Sequence, residues 1–459
     1  MTTKQLHSLW FNISLLALIF LTAVSLIIAK APYMHDFAEW VYQAQIIKMF
    51  IVDPAAVSQF TMAGYPVPNS LASAILTGLS FLFTPVWAGK VFLILMLLAW
   101  YRVISLFTAR FVDEQWRAAA RLVLYASIAL ATFFWYGFIS YQLALLLLCW
   151  FFASYREDTK AFVIAAFAVG IFFSHAIIFL VFGLFLGVRL LLKWNWSVVV
   201  GLLPATFLAL WFLAGRHLAN VEPQRIDASW NGLREMLIYK AGYPAMLGPF
   251  KNFLQSDGTS LFENHPWLYW LGFVTNFAVV AALGLLVLVV FWKYLRKDLL
   301  DSDEASLLRN SWAISIVLLI IFYVFAPYHF FGVVNAGGRI IVPVLLMAMM
   351  LGGNLARLFV KIVVWPVALI SLLTVSSYYY LMLQTRHVDF SPVAKSSISI
   401  KTSDSVLDFN EKLYAATRYK YFNYRVFAFA GRFEQIESKR FRGLAFRHAM
   451  LIKYDAKAK

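Results

Sequence analysis

Cysteine is almost absent from this chain of 459 residues. The one copy, Cys149, lies inside an apolar run, so no intrachain disulfide can form. Charge is scarce as well: 14% of residues are charged and 62% are hydrophobic. Acids are scarcer than bases, with 23 Asp and Glu against 39 Lys and Arg, a net charge of +16. A soluble globular domain is excluded by so much apolar surface carrying so little charge, and length rules for domain number do not apply. No nucleic-acid reader fold is recognisable either, so the basic excess is assigned to membrane topology and anionic head groups, with no nucleic-acid partner.

What the chain has in quantity is long apolar runs. They fall near 9–29, 87–108, 118–137, 140–155, 160–175, 176–192, 197–215, 268–292, 311–327, 339–357 and 362–383. Each approximates the roughly 20 residues needed to cross a hydrocarbon core, the shorter ones tilted or partly re-entrant. The fold class is therefore an all-α polytopic membrane protein. The first run follows Lys4 and ends in "AKA"; with so many spans behind it, it reads as an uncleaved first span rather than a leader.

A further run, 68–84, "PNSLASAILTGLSFLFT", carries Asn, Ser and Thr through its first two-thirds. If it lies flat at the surface, Lys4 shares the inner face with five basic connectors: Arg110/Arg117/Arg121, Arg156/Lys160, Arg189/Lys193, Lys293/Arg296/Lys297/Arg309 and Arg357/Lys361. If it spans, the three clusters from Arg110 to Lys193 fall outside along with the rest. The first arrangement has eleven spans, the N-terminus inside and the tail outside. Five stretches then share the outer face: the loop 30–86, the turn 136–142, His175, the loop 216–267 and the segment 327–339. Two units result, a transmembrane domain over 1–384 and a basic extracytoplasmic tail over 385–459. From residue 390 on, the tail holds fourteen Lys and Arg against six Asp and Glu. It reads as a small mixed α/β appendage or a surface-lying segment. Inner connectors are too short for a nucleotide-binding domain, so "DSD" at 301–303 reads as a solvated charge cluster.

The candidate chemistry follows the first span, in "KAPYMHDFAEWVYQAQ" at 30–45. Phe37, Trp40, Val41, Ala44, Ile47 and Phe50 recur at helical spacing. Asp36 and Glu39, three apart, fall near one side of that helix. Two readings stand: a helix cap with a solvated face, or a general base at the membrane surface. The chain continues through "AGYPVPNS", a candidate interfacial helix, and a span ending in basic residues. Later come "FFSHAIIFLVFGLFLG" at 172–187 and "NAGGRIIVPVLLMAMMLGG" at 335–353.

This order of elements, over roughly 1–384, resembles the GT-C superfamily of membrane glycosyltransferases, nearest in style to the protein-O-mannosyltransferase and lipid A aminoarabinose transferase-like branch. Where such enzymes often carry an Arg-Pro-Asp-like turn, this chain has "GFISYQLAL", with Tyr141 and Gln142; where an aromatic follows the late Arg, it has Ile340. The resemblance implies a sugar taken from a polyprenyl-phosphate carrier at the outer face of a bacterial inner or plasma membrane. The acceptor is a glycan, lipid or protein hydroxyl, and Asp36 is the base. It places His175 at a helix junction facing the site and Arg339 against the lipid phosphate. Sugar–phosphate cleavage needs cationic stabilisation of phosphate and a base for the acceptor. Arg339, helped by His329, fits the first role and Asp36 the second; Glu39 is secondary, orienting acceptor or metal. One displacement inverts the anomeric carbon. His35 and Tyr65 join the substrate-binding candidates, and Trp40 and Tyr65 are placed to stack on sugar. In the outer loop, Glu222, Arg225, Asp227, Arg234 and Lys240 read mostly as solvated. No cofactor is implied, a divalent metal being left open. The alternatives are an O-antigen ligase- or polymerase-like enzyme, a transporter, or a non-catalytic subunit of glycan export.

Overall fold

A computed structural model describes residues 3–34, 36–58, 60–62, 64–218, 234, 236–237, 240, 248–251, 266–295, 304–326, 329–330, 333–334, 337–352, 354–385, 406–418 and 451–454. The described chain is helical, with two short two-stranded ladders. The helices are α1 (Thr3–Ile28), α2 (Phe37–Val52), α3 (Leu71–Leu82), α4 (Pro85–Phe111), α5 (Arg117–Leu124), α6 (Thr132–Trp135), α7 (Ile139–Ser154), α8 (Ala161–Ser174), α9 (Ala176–Leu192), α10 (Trp196–Leu218), α11 (Pro266–Leu295), α12 (Glu304–Phe325), α13 (Ile341–Gly352), α14 (Asn354–Thr385) and α15 (Val406–Arg418). The strands are β1 (Phe60–Met62), β2 (His329–Phe330), β3 (Val333–Val334) and β4 (Leu451–Tyr454).

Among the described residues, seven helical stretches are long and apolar enough to cross a membrane, from Leu6–Ile28 to Ala356–Leu383. The expected spans at 140–155, 160–175, 176–192 and 339–357 form shorter apolar helices, Ile139–Ser154, Ala161–Ser174, Ala176–Leu192 and Gly337–Gly352. The ambiguous run forms α3, which has 12 residues. At 1.5 Å per residue it reaches about 18 Å, well short of a core roughly 30 Å thick. Its polar residues face inward. Gln43 Nε2 donates to Ser73 Oγ (2.7 Å), Thr77 Oγ1 to the Ala44 carbonyl (3.2 Å) and Lys48 Nζ to the Ser80 carbonyl (2.5 Å). Those pairs advance together, so α2 and α3 run side by side in one direction. Ile75, Phe81 and Leu82 face outward.

Two ends of the bundle are distinct. At one, α4 and α7 terminate together, with Arg110 Nη1 donating to the Phe152 and Ala153 carbonyls (3.2 and 3.1 Å). Arg189, at the end of α9, pairs with Glu157 in the α7–α8 turn, Nε to Oε1 at 2.9 Å. At the other end lie the starts of α2, α3, α7, α9 and α13. The helix leading there is interrupted by a π-helical turn, Tyr125–Ala129, before α6. A π-turn frees backbone carbonyls, and two side chains mark the repair: Gln142 Nε2 donates to the Ile128 carbonyl (3.0 Å) and Trp135 Nε1 to the Leu130 carbonyl (3.0 Å).

The tail supplies α15 and β4. β4 pairs antiparallel with β1, Thr61 opposite Lys453, so the tail lies at the same end as the loop 30–86.

Candidate functional site

The five stretches expected to share a face meet at this end. The Asp36 N–H donates to the Tyr136 carbonyl (3.0 Å). Asn69 takes a left-handed backbone, φ 68°, which asparagine tolerates better than most residues. That turn aims its side chain at the α8–α9 junction, where Oδ1 accepts from the Ala176 N–H (3.1 Å), and its carbonyl accepts from Ser140 Oγ (3.2 Å). Thr132 Oγ1 donates to the Phe250 carbonyl (3.1 Å), while Asn276 of α11 pairs with Phe250 through both its Oδ1 and its Nδ2 (3.1 and 3.2 Å). Finally, Tyr141 Oη donates to the Arg339 carbonyl (2.7 Å).

Gly137 makes a close approach of backbone to backbone. Its φ is +74°, and a Cβ there would lie 2.6 Å from the Phe37 nitrogen. Only glycine fits both demands.

Asp36 occupies the N-cap position of α2, yet its carboxylate makes no capping hydrogen bond. Neither acid is solvated: Asp36 is 4% exposed and Glu39 3%. The cap-and-solvated-face reading therefore loses both its parts. A carboxylate is costly to bury, so two beside one turn make this a candidate site.

Arg339 sits across the same turn. It lies in a short 3-10 helix, Gly337–Ile340, and is 7% exposed. Its guanidinium carbon is 4.7 Å from the Phe138 ring centroid and 5.7 Å from that of Tyr141. Nη1 lies 3.1 Å from His175 Nε2. A guanidinium has no acceptor, so Nη1 donates and His175 is held neutral with its proton on Nδ1. Arg339 Nε has no hydrogen-bond partner among the described residues.

On the other side of the turn, Lys251 Nζ sits 4.2 Å from the Tyr136 centroid. The rings of Tyr136 and Phe138 stack at 5.6 Å and 20°. The four side chains form a column: ammonium, phenol, phenyl, guanidinium. Aromatic faces attract cations, so the column fixes two positive charges at the rim of the site.

Other expected residues are placed differently. Tyr65 packs on α10, its ring 6.0 Å from Phe212 and against Gly215, where a Cβ would come within 2.5 Å of it. That packing pins the loop to α10. Lys240 is buried rather than solvated: its ammonium bonds the Tyr323 and Ala326 carbonyls (2.7 Å to Ala326) and so caps the end of α12. Burial pushes that ammonium below the usual lysine range. Arg234 is exposed and Trp40 half-buried. His329 belongs to the β2–β3 ladder, and its side chain lies outside the described residues, as do His35, Glu222, Arg225, Asp227 and the "DSD" at 301–303. No group of three or more His, Cys, Asp or Glu placed to hold a metal ion occurs among the described residues.

Tyr136, Phe138, Lys251 and Asn69 were not singled out from the sequence. Aromatics are too common here, at 18%, to single out two of them. A glycine flanked by aromatics just past an apolar run was the one local signal. No protein-family model, no curated protein and no solved structure matches the chain.

Proposed function

We propose that the protein is a GT-C-type membrane glycosyltransferase with Asp36 as general base. It moves a sugar from a polyprenyl-phosphate carrier to an acceptor hydroxyl at the outer face. The observation that carries this reading is the burial of Asp36 and Glu39, Asp36 without a capping role and bonded through its N–H to the segment whose Phe138 and Tyr141 rings hold the buried Arg339. In the reaction the acceptor O–H gives its proton to Asp36 while its oxygen bonds to the anomeric carbon. The bond from that carbon to the phosphate oxygen breaks, and the electron pair leaves on the phosphate. Arg339 stabilises that growing charge, its Nε being available to phosphate oxygens. Neutral His175 holds the guanidinium in line. Glu39 orients the acceptor.

The placement of the tail beside the loop 30–86, with the α1 N-terminus at the opposite end, supports an odd number of crossings. That favours the eleven-span arrangement with α3 interfacial, and it argues against a spanning 68–84.

The test is a deletion strain complemented with Asp36→Asn, scored by mass spectrometry of accumulating lipid-linked sugars. Asn keeps the side chain's size, so the folded amount should hold. Accumulation as in the deletion strain is the expected result. If the variant clears the lipid-linked sugar at the wild-type rate, Asp36 is not the base, and a non-catalytic subunit becomes the better reading.

A further inference from the structure

The tail was the one region to which the sequence lent no chemistry. In α15 the residues Asn410, Leu413, Tyr414 and Thr417, at i, i+3, i+4 and i+7, form one buried stripe. All four are at most 2% exposed. A helix merely lying on a surface would not bury a tyrosine, an asparagine and a threonine so fully. It packs on α2, the helix that follows the stretch carrying Asp36, and on α4.

One contact is specific. Tyr414 Oη donates to the Pro32 carbonyl (2.8 Å). Pro32 is four residues before Asp36, in the extended stretch between α1 and α2. That stretch is fixed at three backbone points, each by a different element. Lys90 Nζ of α4 binds the Ala29 carbonyl (2.5 Å), Tyr414 of α15 binds the Pro32 carbonyl, and the Tyr136 carbonyl binds the Asp36 N–H. Tyr33, buried between them, feels Glu411 of the same tail helix. Burial pushes the pKa of the Tyr33 and Tyr414 phenols above the ordinary value, so both stay protonated. Tyr414 is thereby a permanent donor to Pro32. The β1–β4 ladder holds the same outer loop at a second place, 60–62.

We infer that the tail helix is a clamp on the base loop and that Tyr414 is a positioning residue for Asp36. It acts through the Pro32 carbonyl and touches no substrate. The inference rests on the glycosyl-transfer reading for its functional consequence, but not for the clamp itself. Its physical basis is distance tolerance: a base misplaced by about 1 Å can cost roughly 100-fold in rate. A loop running from residue 30 to 86 does not hold such a position unaided.

The experiment uses the full chain, purified as wild type and as Tyr414→Phe, which removes one hydroxyl and keeps the ring. Lipid extract from the deletion strain serves as the donor pool, and consumption of lipid-linked sugar is followed by mass spectrometry at a series of extract dilutions. Tyr414→Phe should lower apparent kcat about 10-fold, as one buried hydrogen bond and a looser base predict, with apparent KM within about twofold. A merely structural tyrosine would lower the amount of folded protein and leave kcat per folded molecule unchanged; that result overturns the inference. Rescue sharpens it. Thr61→Cys with Lys453→Cys, opposite one another in the ladder, should form a disulfide that restores part of the lost kcat to Tyr414→Phe when oxidised and not when reduced. Failure of that disulfide to form would mean the tail does not dock, which also overturns it. If wild type consumes no lipid-linked sugar at all, the glycosyl-transfer reading fails, and hydrogen exchange of the peptide 30–41 decides the clamp. Faster exchange in Tyr414→Phe upholds it, and unchanged exchange refutes it.

Discussion

The two ends of the helix bundle use the same residue types for opposite purposes. At the far end, Arg156, Lys160 and Lys361 are exposed, and Arg110 and Arg117 close the carbonyl ends of α7 and α4. Arg189 is buried there, but it is matched to Glu157. These charges finish helices and fall where the basic connectors of a membrane protein are expected; either job is served by a cation in roughly the right place. At the site end, charge is buried on both signs and held by specific geometry. Asp36 and Glu39 are inside, Arg339 is tied to His175, and two aromatic rings separate Arg339 from Lys251. The difference teaches that a cation's job is read from its burial and from how narrowly its neighbours fix its direction, not from its identity.

Substitutions sharpen that contrast. The largest effect belongs to Asp36→Asn, which should reduce sugar transfer by roughly 100- to 10,000-fold, the usual contribution of a general base. Arg110→Gln at the far end should leave the rate per folded molecule within a few-fold, measured in the same assay. Equal losses from the two would erase the distinction between the ends.

Arg339→Lys keeps the charge but loses the planar fork and the hydrogen bond to neutral His175. It should cost on the order of 10- to 100-fold in transfer and weaken binding of dodecyl phosphate followed by tryptophan fluorescence. Wild-type binding in Arg339→Ala would remove the guanidinium from the donor site.

Gly137→Ala tests backbone rather than charge. It puts a Cβ into the Phe37 nitrogen at an unfavourable φ, which should destabilise the fold by about 2–3 kcal/mol, seen as a lower Tm in detergent. Gly183→Ala in α9, where a Cβ meets nothing within 4 Å, should be neutral or slightly stabilising.

A smaller stability effect, without a catalytic one, is expected from Glu157→Gln. It strands Arg189 in a buried position, but Glu157 keeps 23% of its side chain exposed, so solvent screens part of the loss. The drop should be on the order of 1–2 kcal/mol, with transfer per folded molecule unchanged. Least affected is Lys361→Gln, exposed on α14, within about 0.5 kcal/mol of wild type.

The candidate site was legible in part. Asp36, Glu39, His175 and Arg339 are visible as polar residues at the ends of apolar runs, where the cost of burying charge makes each one conspicuous. The sequence could not separate a capping Asp36 from a buried one, since both occupy the same position in the helix. Tyr65 gains a contact that no local signal shows. Beside two prolines it reads as a sugar platform, and Gly215 on a distant helix offers the gap that its ring fills.

Local physics therefore determined the helices, their apolar lengths and the segregation of basic connectors, because hydrocarbon thickness and backbone hydrogen bonding constrain every stretch by itself. Tertiary structure alone decided what meets at the site end. The left-handed Gly137, the Lys251–Tyr136–Phe138–Arg339 column and the contact of Tyr414 with Pro32 each join residues far apart in the chain, up to 382 positions for the last. Nothing in the hydropathy or spacing of one segment records the partner that packing brings to it from another.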